Sequence, residues 1–300
     1  MQALGANDAK AEVNRSFLFV PADSERKLGK ARVSAADALI LDLEDSVAAS
    51  ARPKARALAA EFLKQECDAE IWVRINPLDS EDASQDLQAI MPSAPRGIVL
   101  PKPRGADDAT QLAKLLDVLE DEYGLAAGQT SILPIATERP GALFGMGDYA
   151  DATARLAGLT WGAEDLSAAV GASTSRGDGG DWLAPYQLAR SLCLFAAAAA
   201  GVPAIDTVYT DYRDADGLAT YAAAARRDGF EGMLSIHPDQ VDVINNAFVP
   251  TSNETERARR IVELFAANPD AGTLGMDGEM IDRPHWLQAK RILETASRLK

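Results

Sequence analysis

The sequence predicts an α/β protein built as a closed (β/α)8 barrel, and three observations carry that expectation. Short runs rich in Val, Ile and Leu recur eight times with helical patterns between them. Runs that are apolar throughout, rather than alternating, are those of parallel strands buried on both faces. The eight units span about 235 residues, close to the roughly 250 typical of such a barrel. A doubly wound open sheet is the competing layout, disfavoured because no G-x-G-x-x-G follows the first run.

Taken in order, the first strand is expected over 16–20, followed by a helix over 24–32 with Asp23 or Ser24 as its cap. The second strand covers 37–43 and leads into a long helical stretch over 48–66, and the third covers 70–75 with a shorter helix over 83–90. The fourth, 97–100, precedes a helix over 107–123. There Leu112, Leu115, Leu116 and Leu119 form the i, i+3, i+4, i+7 stripe of a packed helix. The fifth strand, 130–136, precedes a helix over 141–150. The sixth, 155–162, is followed by what reads as a helical first turn over 166–170, a Gly-rich loop around 177–180 and a long helix over 184–200. The seventh strand, 204–208, is paired with a helix over 214–227, and the eighth, 232–236, with one over 240–246. Residues 1–15 read as a loosely ordered lead-in and 16–250 as the barrel domain. From 251 the pattern changes to a helix over 254–265, a loop-like stretch over 268–278 and a helix over 285–298. Fifty such residues cannot bury much core alone, so they are expected to pack on the barrel or on a neighbouring subunit.

A hydrophobic share of 47% and a charged share of 25% are those of an ordinary globular protein. No apolar run approaches the roughly 18 residues needed to cross a bilayer, and the N-terminus lacks the apolar middle of a secretion signal. The excess of 45 acids over 30 bases, a net charge of −15, argues against a nucleic-acid surface. It leaves room for an anionic ligand, because a few placed cations reverse a local field. Cys67 and Cys193 are too few and too distant for a disulfide framework or a thiolate metal site, and as reduced thiols they suit the cytoplasm. With only His237 and His285 in the chain, a zinc centre or a Ser-His-Asp triad has little to draw on.

Active sites of this fold lie at the carboxyl ends of the strands. Leu159-Thr-Trp-Gly-Ala-Glu-Asp165 is an apolar run ending in two carboxylates before a helix, and Ser131–Glu138 has the same shape. The second strand delivers Asp42, Glu44 and Asp45, the third Arg74 and Asn76, the fourth Lys102, and the eighth His237. Acids converging from several strands repel one another unless a cation sits among them, and oxygen donors alone suit Mg²⁺. The alternatives stay open: Asp165 as a simple helix cap, the acids as partners of Lys54, Arg56 and Lys102, and Arg74 as the structural partner of a second-strand acid. His237, before Pro238, reads as a structural bond to a neighbouring loop, and 171–181 as a flap or a surface loop.

Ser16-Phe-Leu-Phe-Val-Pro21, Leu41-Asp-Leu-Glu-Asp45, Val73-Arg-Ile-Asn76, Leu100-Pro-Lys102, Thr137-Glu138, Gly162-Ala-Glu-Asp-Leu166, Ser235-Ile-His-Pro238 and Asp277-Gly-Glu-Met-Ile-Asp282 occur in that order. Together they resemble the citrate lyase β-subunit-like proteins of the HpcH/HpaI aldolase superfamily, close to malyl-CoA and citramalyl-CoA lyases. The resemblance implies a TIM barrel of the phosphoenolpyruvate-binding type with a C-terminal helical lid, assembled as a homotrimer or homohexamer. It implies Glu138 and Asp165 as Mg²⁺ ligands and Arg74 as the group on the thioester or enolate oxygen. Asp42, Gly162, Ala163 and Glu164 would line the substrate, with Glu44 beside them among the catalytic residues. Asp282 matches an acid carried on the lid, often into a neighbouring subunit's site. The expected reaction is retro-Claisen cleavage of a β-hydroxyacyl-CoA into an acyl-CoA and a 2-oxo acid. Thioester hydrolysis or malate-synthase-like condensation at the same site, and a non-catalytic subunit of a larger lyase complex, are the alternatives. The chain departs from the family where many members read E-T-x-R-G, since Glu138 is followed here by Arg139-Pro-Gly-Ala142.

Overall fold

The computed structural model describes residues 14–298, so the expected lead-in lies, up to residue 13, outside the described residues. Eight strands form one parallel sheet: β1 (Ser16–Pro21), β2 (Ala38–Asp42), β3 (Glu70–Arg74), β4 (Gly97–Leu100), β5 (Ser131–Pro134), β6 (Leu159–Thr160), β7 (Ala204–Asp206) and β8 (Gly232–Ser235). Their order is β5-β4-β3-β2-β1-β8-β7-β6. Bridges Ile132–Leu156 and Ile135–Thr160 then join β5 to β6, so the sheet curls into the expected barrel. Every residue of β2 is buried, which is why its apolar run is unbroken until Asp42. Phe17, Ile40, Trp72, Val99, Leu133, Ile205 and Leu234 fill the interior. Gly97 is required there, because a Cβ would collide with the Trp72 ring.

The helices between the strands are α1 (Glu25–Ala31), α2 (Arg52–Leu63), α3 (Glu81–Ile90), α4 (Ala106–Glu122), α5 (Ala163–Ala169), α6 (Ala184–Ala200), α7 (Ala215–Asp228) and α8 (Val241–Ala247). Ser24, rather than Asp23, caps α1 by accepting from the Lys27 amide, and Asp214 caps α7. The expected helix over 141–150 is a 3₁₀ stretch, Pro140–Asp151, interrupted at Gly145. After β6 the helix starts earlier than its apolar pattern suggested, at Ala163, with Gly162 in the cap position. Asp165 is therefore inside the first turn and is not the helix cap.

Asn14–Asn245 form one compact unit and the chain from Asn246 belongs to another. In the latter, Thr251 and Glu254 form a reciprocal capping box at the start of α9 (Ser252–Ala267). The stretch expected as a loop over 268–278 contains a strand: β9 (Thr273–Met276) pairs antiparallel with β10 (Glu279–Asp282). Asp277 and Gly278, both at positive φ, make the tight turn between them, as an Asp-Gly pair does in hairpins. Helix α10 (Arg283–Arg298) follows directly, and Ala258, Ile261, Met276, Ile281 and Ala289 make a small core.

One buried ion pair ties α4 to the approach of β6. Arg155 meets both oxygens of Glu120, at 2.8 and 2.6 Å, while the amides of Thr130 and Gly128 donate to the same carboxylate. Burial alone would raise the Glu120 carboxyl, but Arg155 and the two amides outweigh it and hold the group at about 2, below its ordinary 4.5. A depressed carboxyl stabilises the fold above its unfolded value and stops doing so as pH falls through its folded value. Acid unfolding followed by circular dichroism should therefore show this contribution intact at pH 5 and lost between about pH 4.5 and 2. Glu120→Gln should remove it, lowering stability at neutral pH by about 3 kcal/mol and flattening the acid limb.

Candidate active site

The carboxyl ends of the strands surround a cavity of about 350 Å³. Asp42, Arg74, Glu138, Gly162, Ala163, Glu164 and Asp165 all line it, together with Phe19, Trp161, Thr207 and Ile236. Seven side chains or backbone positions singled out from the sequence thus share one wall, although they come from four strand ends.

Arg74 closes β3, and its fork is gripped by Asp42 at the end of β2: Nε and Nη2 each donate over 2.7 Å. Asp42 also accepts from the amides of Glu44 and Ser46, so it folds the loop after β2 around itself. Burial would raise the Asp42 carboxyl, yet Arg74 and these amides hold it below the usual range. Desolvation pulls Arg74 the other way, and Asp42 more than restores it, so the guanidinium stays charged. The expected structural partner of Arg74 is therefore real. One nitrogen remains: Nη1 lies 3.2 Å from Glu44 Oε2, which has no aligned hydrogen-bond donor. The guanidinium stacks on Phe19 at 4.7 Å, which fixes its plane.

Lys102 is the second cation. Its Nζ reaches Glu44 at 2.5 Å, Asp45 at 2.8 Å and Asp165 at 3.3 Å, while its own amide donates to Glu138 Oε2 at 2.5 Å. To do both it adopts φ 49, a left-handed conformation costing about 1–2 kcal/mol for a residue with a Cβ. The sequence marked Lys102 as a counter-ion of the acids; its backbone role carried no signal there. Arg56, another of the three candidate counter-ions, pairs instead with Asp82 and Asp86.

Glu138 is buried, and burial pushes its carboxyl up to about 8, with Asp165 and Glu44 adding to the rise and the Lys102 amide and Arg74 opposing it. Burial likewise raises Glu44. Gly162 permits this packing, since a Cβ there would sit 2.6 Å from Glu138 Cγ. The Gly162 amide donates to Thr137 Oγ1, tying the ends of β5 and β6 together. Behind them Trp161 is pinned by its Nε1 bond to the buried Asp206, which Arg190 neutralises at 2.7 Å. This Trp161–Asp206–Arg190 arrangement was not foreseen; only the position of Trp161 between strand and acids hinted at it.

Among the described residues, no three His, Cys, Asp or Glu side chains form a metal cage on their own. A hard ion that keeps several waters and borrows ligand oxygens needs only one or two carboxylates. Glu138 and Asp165, oxygen donors in one cavity whose lining holds no His, Cys or Met, fit Mg²⁺ on that criterion. His237 accepts from the Asp239 amide at 3.2 Å and stacks on Tyr212, a structural placement. The 171–181 loop is held by Arg176, whose guanidinium lies 3.5 Å over Trp182 and donates to the Gly180 carbonyl. Asp282 ends β10 in the C-terminal unit.

The family model described as HpcH/HpaI aldolase/citrate lyase matches residues 15–238. The citrate lyase subunit beta of Haemophilus influenzae is 35% identical over 289 residues, covering 95% of this chain and 97% of that protein. A (3S)-malyl-CoA thioesterase of Cereibacter sphaeroides is 33% identical over 288 residues, covering 94% of each. The crystal structure of CitE from Mycobacterium tuberculosis, in complex with magnesium, acetoacetate and coenzyme A, superposes with a TM-score of 0.80 at 32% identity, covering 95% of this chain and 98% of that one. With a match over most of its length in sequence and in fold, the chain belongs to the HpcH/HpaI aldolase/citrate lyase family.

Proposed function

We propose that the cavity performs Mg²⁺-dependent retro-Claisen cleavage of a β-hydroxyacyl-CoA of the malyl-, citramalyl- or citryl-CoA type, giving an acyl-CoA and a 2-oxo acid. The observation that carries this reading is the pairing, in one cavity, of two hard-oxygen carboxylates with a buried guanidinium that gives Nε and Nη2 to Asp42 and keeps for Nη1 only an ion-pair contact with Glu44 at 3.2 Å. Related proteins described with magnesium, acetoacetate and coenzyme A, or acting on (3S)-malyl-CoA, support the substrate class.

In this reading Glu138 and Asp165 hold Mg²⁺, which when bound supplies Lewis acidity toward the carboxylate and hydroxyl of the substrate. Arg74 Nη1 faces the thioester oxygen and stabilises the enolate left after the carbon–carbon bond breaks. Asp42 keeps that guanidinium in register, and Glu44 shares Lys102 with Asp165, so the rim stays compensated as charge moves. Gly162, Ala163 and Glu164 contact the oxo-acid end. Asp282, on a C-terminal segment acting as a lid in a homotrimer or homohexamer, protonates the enolate carbon. The Arg139–Asp79 ion pair after Glu138, where many relatives are expected to carry a different sequence, adjusts which oxo acid fits.

The (3S)-malyl-CoA thioesterase among the relatives favours hydrolysis as the second reading. A panel of CoA esters, assayed with Mg²⁺ and with a chelator, separates the two: cleavage yields acyl-CoA and an oxo acid, hydrolysis free CoA. Mg²⁺-independent turnover, or no turnover of any ester, sinks the proposal. Glu138→Gln and Arg74→Lys should each lower kcat by about 10²–10³, the usual loss for one electrostatic contact of this kind. Gly162→Ala, by pressing on Glu138, should weaken Mg²⁺ binding about 10–100-fold in a calorimetric titration.

A further inference from the structure

We propose that His285 is the positioning partner of Asp282, a reading that rests on the catalytic role given to Asp282 above. Asp282 is the last residue of β10 and stands directly before α10. Its Oδ1 lies 2.5 Å from His285 Nδ1, one helical turn on, and its amide approaches the same nitrogen at 3.3 Å. One ring nitrogen cannot be donor and acceptor at once, and a nitrogen and an oxygen this close must have a hydrogen between them. The shorter contact therefore carries the hydrogen, and the amide contact is subordinate. Among the described residues no other bond engages the Asp282 carboxyl, so Oδ2 is the oxygen left for a ligand. Ile281, just before Asp282, and Ala289, one turn beyond His285, are both buried in the small core. The pair itself stays accessible, with side-chain exposures of 30% for Asp282 and 43% for His285.

The division of labour follows from those contacts. In the cleavage direction the O–H bond at Asp282 Oδ2 breaks as a C–H bond forms at the enolate carbon. The O–H electron pair remains on the carboxylate, where the Nδ1–H of His285 meets the new charge, and the enolate oxygen regains its C=O bond. Asp282 takes its next proton from water, and the substrate hydroxyl gives one to water, so the turnover balances. His285 touches no reacting atom; it sets the carboxyl's orientation and compensates its charge.

A purely architectural role makes a different demand. His285 occupies the third position of α10, where an acceptor for the amide of the preceding cap residue is usually Glu. His285→Glu satisfies that demand but removes the donor to Asp282, whereas His285→Asn restores a donor near the place of Nδ1. The full-length protein and these two variants, with His285→Ala and Asp282→Asn, should be compared for kcat and KM in CoA-ester cleavage. Solvent deuterium exchange at the α-carbon of the acyl-CoA product and Tm complete the set. We expect His285→Ala and His285→Glu to lose about 10–100-fold in kcat and in exchange, with KM within twofold, as when a group that orients another is removed. His285→Asn should recover most of the loss, His285→Glu should keep the parental Tm, and the Asp282→Asn/His285→Ala double variant should be no slower than Asp282→Asn. Parental kcat in His285→Glu beside an impaired Asp282→Asn overturns the pairing and leaves the role of Asp282 standing. Loss that tracks Tm across all three His285 variants overturns it as well. Parental activity in Asp282→Asn instead overturns the reading on which the pairing rests.

Discussion

The rim of this barrel depends on two fixed cations set among acids, three of them buried. Asp42, Glu44, Asp45, Glu138 and Asp165 come from the ends of three strands, β2, β5 and β6, where Arg74 from β3 and Lys102 from beyond β4 are the cations that bond to them. An unpaired ion in such a place costs several kcal/mol, so neither cation can be lost without a large penalty. The pairing is also uneven. Asp42 is fully committed to Arg74 and to its own loop, which makes it structural. Glu138 and Asp165 are bound more loosely, one by a backbone amide and one by a shared ammonium, and so retain capacity for another positive charge.

Backbone detail sets this balance as much as charge does. Lys102 adopts a left-handed conformation so that a single residue can serve Glu138 through its amide and the other acids through its side chain. Gly162 lets the Glu138 side chain lie against the start of α5, and Trp161 is anchored from behind by Asp206 and Arg190. Local strain and close approach gathered around one cavity are the usual marks of a working site rather than of a surface salt-bridge network.

Much of this was legible in the chain. Eight uniformly apolar runs specified the barrel because parallel strands covered on both faces leave no polar side to alternate. Glu138, Asp165, Arg74 and Asp42 were recognisable because a charged residue at the end of such a run has few reasons to be there. Other features were illegible for physical reasons. The start of α5 was misplaced because Ala163, Glu164 and Asp165 add no apolar stripe to the helix. Residues 273–276 read as loop because Thr-Leu-Gly-Met is short and holds a glycine, although Asp277-Gly278 is a hairpin signal. Lys102 φ, the Asp206 clamp and the His285 contact depend on tertiary geometry and leave no periodic trace.

The cylinder is not equally strong all round. β1 and β2 are laced together over five register pairs, whereas β5 and β6 meet through two isolated bridges and a few amide bonds such as Ala136 to Thr160. These are the staves whose tips bear Glu138 and Asp165. The β6–β7 and β7–β8 joins hold two register pairs each, so the lightly laced arc of the wall runs from β5 round to β8, and fewer ladder bonds resist local opening there than between β1 and β2. Arg74, by contrast, stands on β3, which is joined to β2 over five register pairs, so its anchorage to Asp42 belongs to the densely laced arc.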